Sequence, residues 1–256
     1  MIDISNLTFS YPGQPPLFEH FSLSIDRGDL WSIIGPSGCG KSTFLYFLTR
    51  LIKPDGGSIM IDGEISRRPR PQTGLVLQDL GLLPWSTVEK NVGLGLKIRK
   101  FYGPDGLHAP SGSKLDQQAG QQIVDDWLHR LGIADLKDKY PSQMSRGQRQ
   151  RTALARTLAL SPDLLLLDEP FSALDDPTRK DLQDLIIELN RERDLTCLTV
   201  THNIEEAVFM GRQILILSRS TNRIPEVVVN PSATDFNHEY FQAMCDGIRT
   251  KLEHPA

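Results

Sequence analysis

The chain has 256 residues, 39% hydrophobic and 23% charged, with 28 Lys and Arg against 32 Asp and Glu and a formal net charge of −4 at pH 7. That balance describes a globular protein able to bury a sizeable core, and it argues against a disordered chain and against a broad electrostatic footprint for nucleic acid. No apolar run approaches the ~18 residues that span a bilayer, the N-terminus lacks a basic-then-apolar signal pattern, and Cys39, Cys197 and Cys245 have no metal-ligand spacing; a reducing, cytoplasmic setting without a zinc site is expected.

Apolar and polar residues alternate at Ile2-Asp3-Ile4, Leu7-Thr8-Phe9 and Phe21-Ser22-Leu23-Ser24-Ile25 around the turn signals Pro12-Gly13 and Arg27-Gly28, which predicts antiparallel strands. The run Leu30-Trp31-Ser32-Ile33-Ile34 reads as a buried strand, followed by a helix over 41–51 that Lys53-Pro54-Asp55-Gly56 ends. Short strands are expected at 58–61 and 74–77. From 86 to 160 the character turns helical, with apolar residues at helical spacing over 88–99, 117–131 and 146–160 and a Gly-, Pro- and Ser-rich loop at 103–116. Strands at 164–167, 197–200 and 214–217 then alternate with helices at 179–191 and 204–210, the pattern of a mostly parallel sheet. A strand at 226–229 and an amphipathic helix at 239–251 complete the chain. The basic cluster Arg67-Arg68-Pro69-Arg70 reads as a solvated loop face.

Two segments carry chemistry. Gly35-Pro36-Ser37-Gly38-Cys39-Gly40-Lys41-Ser42-Thr43 satisfies the pattern G-x-x-x-x-G-K-[ST] between a predicted strand and a predicted helix. Its glycines let successive backbone N–H groups converge on phosphate oxygens, and the helix adds the positive end of its dipole. Lys41 supplies a point charge to the terminal phosphates, the Ser42 hydroxyl suits Mg2+, and Cys39 fills the loop. The second segment, Leu164-Leu165-Leu166-Leu167-Asp168-Glu169, is an apolar strand ending in two carboxylates, where an open α/β sheet presents its ligand-binding residues. Asp168 suits Mg2+ through water, and Glu169 suits the polarisation of an attacking water.

With Met144-Ser145-Arg146-Gly147-Gln148, Ser172-Ala173-Leu174-Asp175 and Thr201-His202, these residues resemble the ATPase subunit of ABC transporters over nearly the whole chain. The resemblance implies a single-domain α/β P-loop NTPase, RecA-like, with a mixed, mostly parallel sheet and N-terminal antiparallel strands. It places the sheet core at 1–85 and 161–222, an inserted α-helical subdomain at 86–160 and a short C-terminal extension at 223–256. By the same resemblance Tyr11 stacks on adenine, Gln78 reaches Mg2+ or the attacking water, His202 orients Glu169, and Asp175 senses the opposite site. The signature departs from the usual Leu-Ser-Gly-Gly-Gln: Met144 replaces leucine and Arg146 the first glycine. Ser145 and Gln148 also form a capping-box pattern for the helix at 146, and a capped helix N-terminus is an anion site.

Because signature and phosphate loop serve one ATP, the resemblance implies a head-to-tail homodimer closed by ATP and opened by hydrolysis. Without a membrane span of its own, such a subunit implies two integral-membrane permease subunits docking near Gln78, at the apolar stretch Asp79-Leu80-Gly81-Leu82-Leu83-Pro84-Trp85, and a solute-binding protein acting through them. It would sit peripherally on the cytoplasmic face of the plasma membrane. The wording of 82–88 and 171–175 looks most like importers of the nitrate, sulfonate and taurine type. Two alternatives differ in kind: a nucleoside monophosphate kinase, which accounts for Lys41 but not for Ser145, Glu169 or His202, and a non-transport ABC ATPase acting on DNA or ribosomes.

Overall fold

The computed structural model describes residues 1–114, 116–172, 174–231, 233 and 238–253. In chain order they form β1 (Ile2–Phe9), β2 (Phe18–Ile25), β3 (Leu30–Ile34), α1 (Lys41–Leu48), β4 (Gly56–Ile61), β5 (Glu64–Ile65), β6 (Thr73–Val76), α2 (Val88–Val92), α3 (Leu94–Tyr102) and α4 (Gln117–Arg130). The second half forms α5 (Arg146–Leu158), β7 (Leu164–Asp168), α6 (Asp176–Arg193), β8 (Thr196–Thr201), α7 (Ile204–Met210), β9 (Gln213–Ile216), β10 (Glu226–Val229) and α8 (His238–Glu253).

The strands build two sheets. An antiparallel sheet runs β2-β1-β4-β5, and the other runs β10-β9-β3-β8-β7-β6, parallel throughout except for the antiparallel edge strand β10. The run of leucines in β7 shows why a central strand reads as continuously apolar. Leu164 and Leu166 enter a core with the aromatic rings of Phe18, Phe21, Phe44 and Phe47, whereas Leu165 and Leu167 enter a core with Trp127, Leu154 and Leu158 from the helices. Alternate side chains point to opposite faces, and both faces are covered. The helices of 86–160 thus share a core with the sheet. A third cluster joins Ile34 and Ile214 to Cys245 and Ile248 of α8, so the C-terminal helix closes over the end of the parallel sheet.

Several expectations shift. The strands expected at 2–4 and 7–9 are one strand, with irregular register between Ile4 and Leu7 where Asn6 takes a left-handed backbone (φ 50°). The helix expected over 88–99 is two helices meeting at Gly93, and α6 begins at Asp176, because the Asp175 side chain caps it by accepting from the Thr178 N–H at 3.4 Å and Pro177 favours the first turn. Arg70 is not a solvated loop residue: its guanidinium bridges Asp62 (2.7 Å) and both carboxylate oxygens of Asp163, tying the two sheets together.

The segment between β6 and α2 has no regular structure yet is tightly held. Arg156 of α5 donates to the carbonyls of Leu80 (2.7 Å) and Gly81 (2.6 Å). Buried Asn91 accepts from the Leu83 N–H at 2.8 Å and donates toward the carbonyls of Leu83, Ser86 and Thr87 at 3.0–3.2 Å. Asn91→Ala leaves those half-buried backbone groups without their partner, so urea denaturation is expected to show a loss of about 2 kcal/mol.

Candidate active site

The parallel sheet brings the catalytic candidates together by strand order alone. Strands β3, β8, β7 and β6 are consecutive neighbours, with Ile34 opposite Thr201, Asp168 opposite Val200, and Val76 opposite Leu167. The residues leaving their carboxyl ends (Gly35, His202, Glu169 and Gln78) therefore converge on one rim. An open cleft of about 760 Å3 lies there.

The phosphate loop forms its floor. Ser37, Gly38, Gly40, Lys41, Ser42 and Thr43 line the cleft. Gly40 caps α1 at φ 101°, a backbone region that side-chain-bearing residues rarely enter, and a β-carbon at Gly35 would collide with the Leu217 carbonyl and the Cys39 thiol. Glycine is required at both. Lys41 Nζ donates to the carbonyls of Gly35 (2.7 Å) and Pro36 (3.0 Å), which curls its side chain back over the loop. Pro36 and Cys39 do not line the cleft. Cys39 is fully buried, and burial pushes its thiol pKa up.

Behind the loop, Ser42 Oγ donates to Asp168 Oδ1 at 3.1 Å. Asp168 is 2% exposed, and burial pushes its carboxyl above the ordinary range, with the Ser42 hydrogen bond and Lys41 opposing and Glu169 adding to the shift. Glu169 follows in a left-handed conformation (φ 49°), which turns the chain sharply out of β7 at a cost of about 1–2 kcal/mol. The turn is held by the Glu169 N–H donating to the Val200 carbonyl (2.9 Å) and by the Ser172 hydroxyl donating to the Glu169 carbonyl (3.1 Å). Its carboxylate is gripped from two sides: Gln78 Nε2 donates to Oε2 at 3.1 Å, and His202 Nδ1 lies 3.3 Å from Oε1.

At the other end of the cleft the Tyr11 hydroxyl is hydrogen-bonded to Thr43 Oγ1 at 2.9 Å, and the ring packs edge-on against Phe9. Gln14, Pro15, Pro16 and Leu17 line the same end, and Arg219 from the segment after β9 also lines the cleft. Sequence reasoning missed these residues. Pro12-Gly13 signals a turn there, but no local pattern marks the residues beyond it, and Arg219 reaches the site only because β9 lies beside β3.

The remaining candidates lie elsewhere. Ser145, Gly147, Gln148 and Asp175 do not line this cleft. Ser145 and Gln148 form the predicted capping box at the start of α5: the Gln148 N–H donates to Ser145 Oγ (3.2 Å) and the Ser145 N–H to Gln148 Oε1 (3.0 Å). Gly147 packs close to Thr178 of α6, so the capped helix end and the turn of Asp175 form one surface. Met144 is buried in the helical core, which explains an apolar residue there, whereas Arg146 is exposed. Ala173, within the Asp175 turn, lies outside the described residues.

The model of the ABC transporter family matches residues 18–172, more than half of the chain. The chain belongs to the ABC transporter family. It is 38% identical over 226 residues to the taurine import ATP-binding protein TauB of Escherichia coli, a match covering 88% of this chain and 83% of that protein. Its fold is similar to the dimeric ATP-binding cassette MJ0796 in a post-hydrolysis state bound to ADP and Pi, with a TM-score of 0.77 and 29% identity over 90% of this chain and 98% of that one. It is also similar to cbiO1 of Clostridium perfringens, part of the ABC transporter complex cbiONQ, with a TM-score of 0.76 and 25% identity over 99% of this chain and 95% of that one. This ABC protein is an ATPase. Membership removes the nucleoside monophosphate kinase reading.

Proposed function

We propose that this chain powers the import of a small solute, of the nitrate, sulfonate or taurine type, by closing and opening a head-to-tail ATPase dimer beneath two permease subunits. The observation that carries the reading is the split of the site: Lys41, Gln78, Glu169 and His202 share one cleft, while the capped helix end at Ser145 lies outside it beside Asp175. An anion-seeking helix end that lies outside the phosphate-loop cleft of its own copy fits a phosphate bound by a second copy. Arg146 supports this, since a cation in a first turn opposes the helix dipole unless an anion arrives. The taurine-import relative and the dimeric cassettes support import and dimerisation.

Within the cleft, Lys41 and the loop amides hold the terminal phosphates, and the Tyr11 ring takes the base. Ser42 Oγ and Asp168, already hydrogen-bonded oxygen donors, fit Mg2+, a hard cation that takes few protein ligands and keeps water and phosphate oxygens; Gln78, which lines the same cleft as Ser42, would complete the set. Mg2+ supplies charge neutralisation on the phosphates. Glu169 accepts the proton of the attacking water, and Gln78 and His202 keep its carboxylate aimed. Phosphate release removes the anion that bridges the two copies, and the dimer opens.

Among the described residues no helix is long and apolar enough to cross a membrane. A membrane role therefore works through partners, on the cytoplasmic face, with a solute-binding protein delivering cargo to the permease. Of the apolar stretch 79–85, Leu80 and Leu82 pack on the core, leaving Pro84 and the 74% exposed Trp85 as the docking knob, held in place by Asn91 and Arg156. Co-expression with a candidate permease subunit from the same genome should yield a complex through affinity purification. In Trp85→Glu that complex should weaken by about 2 kcal/mol or more, roughly 30-fold, with the ATPase rate of the isolated subunit unchanged. Co-purification of nucleic acid in place of a membrane protein would point to the non-transport alternative.

A further inference from the structure

We propose that Glu206 is a positioning residue that locks His202 to the turn carrying Asp175, by way of Arg179. The inference rests on the roles of His202 and Asp175 given above, and adds the wiring between them.

By sequence, Asn203 and Glu206 form the Asn-x-x-Glu pattern of a capping box, in which the glutamate folds back onto the N–H of the capping residue. The structure uses only half of that box. The Glu206 N–H donates to Asn203 Oδ1 at 3.1 Å, but the Asn203 N–H donates to Thr201 Oγ1 at 3.1 Å. The Glu206 carboxylate is thereby released from capping, and it points elsewhere. Its Oε2 accepts the Thr201 hydroxyl at 2.6 Å, and its Oε1 lies 3.5 Å from Arg179 Nε.

Each end of this bridge grips a functional segment. Thr201 is the last residue of β8, so the residues on both sides of His202 are fastened through one hydroxyl to Glu206. Arg179 wraps the turn before α6: Nη2 donates to the Leu174 carbonyl (3.0 Å), Nη1 pairs with Asp176 (2.9 Å), and its backbone N–H donates to the Asp175 carbonyl (2.9 Å). Arg179 Nε has no hydrogen-bond acceptor among the described residues, so Glu206 is the charge it faces.

A buried carboxylate is costly unless its partners compensate it, and α7 does not need this one for its cap. Glu206 is 6% exposed, and burial pushes its carboxyl pKa up, opposed by Thr201, Arg179 and His202. A glutamine would fill the same volume and still accept from Thr201. What glutamine cannot do is hold Arg179 by charge. Movement of the Asp175 turn, which faces a second copy in the dimer, is therefore felt at His202 and through it at the Glu169 carboxylate.

The test is a kinetic cycle of Glu206→Gln, Arg179→Ala and the double variant, with His202→Ala and Arg179→Lys as controls, all in the full chain. Expected are a kcat about 10-fold lower in each single variant at nearly unchanged KM for ATP, and a double variant no slower than the singles, because the residues act as a unit. Arg179→Lys should recover most of the rate, since a cation is restored. A kcat at the wild-type level, a change confined to KM, or effects that multiply in the double variant would each overturn the wiring. If Glu206→Gln fails to fold, the comparison of Arg179→Ala with Arg179→Lys decides alone: equal rates overturn the proposal. His202→Ala at the wild-type rate would instead overturn the role of His202, a separate failure.

Discussion

Glu169→Gln is expected to bind ATP with wild-type affinity and to lose turnover by about 10³-fold, the scale of a general base removed from a hydrolytic site. The substitution is nearly isosteric. Glutamine can still take the left-handed turn after β7, because the N–H to Val200 and the Ser172 contact are made by the backbone, so the fold has no reason to change. What disappears is the basic carboxylate that Gln78 and His202 now hold, since an amide oxygen cannot take the proton of water. With hydrolysis stopped and the bridging phosphate retained, the variant with ATP should elute as a dimer in size-exclusion chromatography and return to monomer when nucleotide is removed. Phosphate release and elution volume, measured on the same sample, check both halves. Undiminished turnover in a monomer would remove Glu169 from its proposed role.

Lys41→Ala is expected to fail one step earlier. Lys41 is 8% exposed and already curled over the loop by its bonds to the Gly35 and Pro36 carbonyls, so ordering it over phosphate costs little side-chain entropy. Its removal takes away charge-assisted hydrogen bonds to the terminal phosphates worth about 3 kcal/mol, or roughly 100-fold in the Kd for ATP. Isothermal titration with ATP and Mg2+ reads this directly. Lys41→Arg should not rescue it, because the planar fork of arginine cannot occupy the confined place of a point charge beneath the loop. The contrast between the two variants is diagnostic: Glu169→Gln separates binding from chemistry, whereas Lys41→Ala weakens binding itself.

The chemistry that depends on neighbours in the chain was legible in the sequence alone. The phosphate loop is a contiguous stretch whose glycines, lysine and serine each answer a local demand, and all three glycines sit where a β-carbon would strain or collide. The capping box at Ser145 is equally local, since it joins residues three apart. So is the apolar strand that ends in Asp168 and Glu169. Helical and strand periods do not register helix breaks such as the one at Gly93, which is why a single helix is expected where two are found.

Contacts made across the fold were not legible, because they depend on strand order. Gln78 meets Glu169 across 91 residues, since β6 lies beside β7 in the sheet. Arg219, Gln14 and Leu17 carry no pattern of their own: Arg219 reaches the cleft because β9 lies beside β3, and Gln14 and Leu17 reach it from the β1–β2 loop of the other sheet. Arg70 looks like one more surface arginine until Asp62 and Asp163 are brought to it. Glu206 even carries a misleading local pattern, that of a cap. Local sequence fixes backbone conformation and the residue types that a phosphate demands, through interactions over a few residues. Which side chains then face one another depends on long-range pairing of apolar strands, a free energy spread over the whole core and written in no single segment.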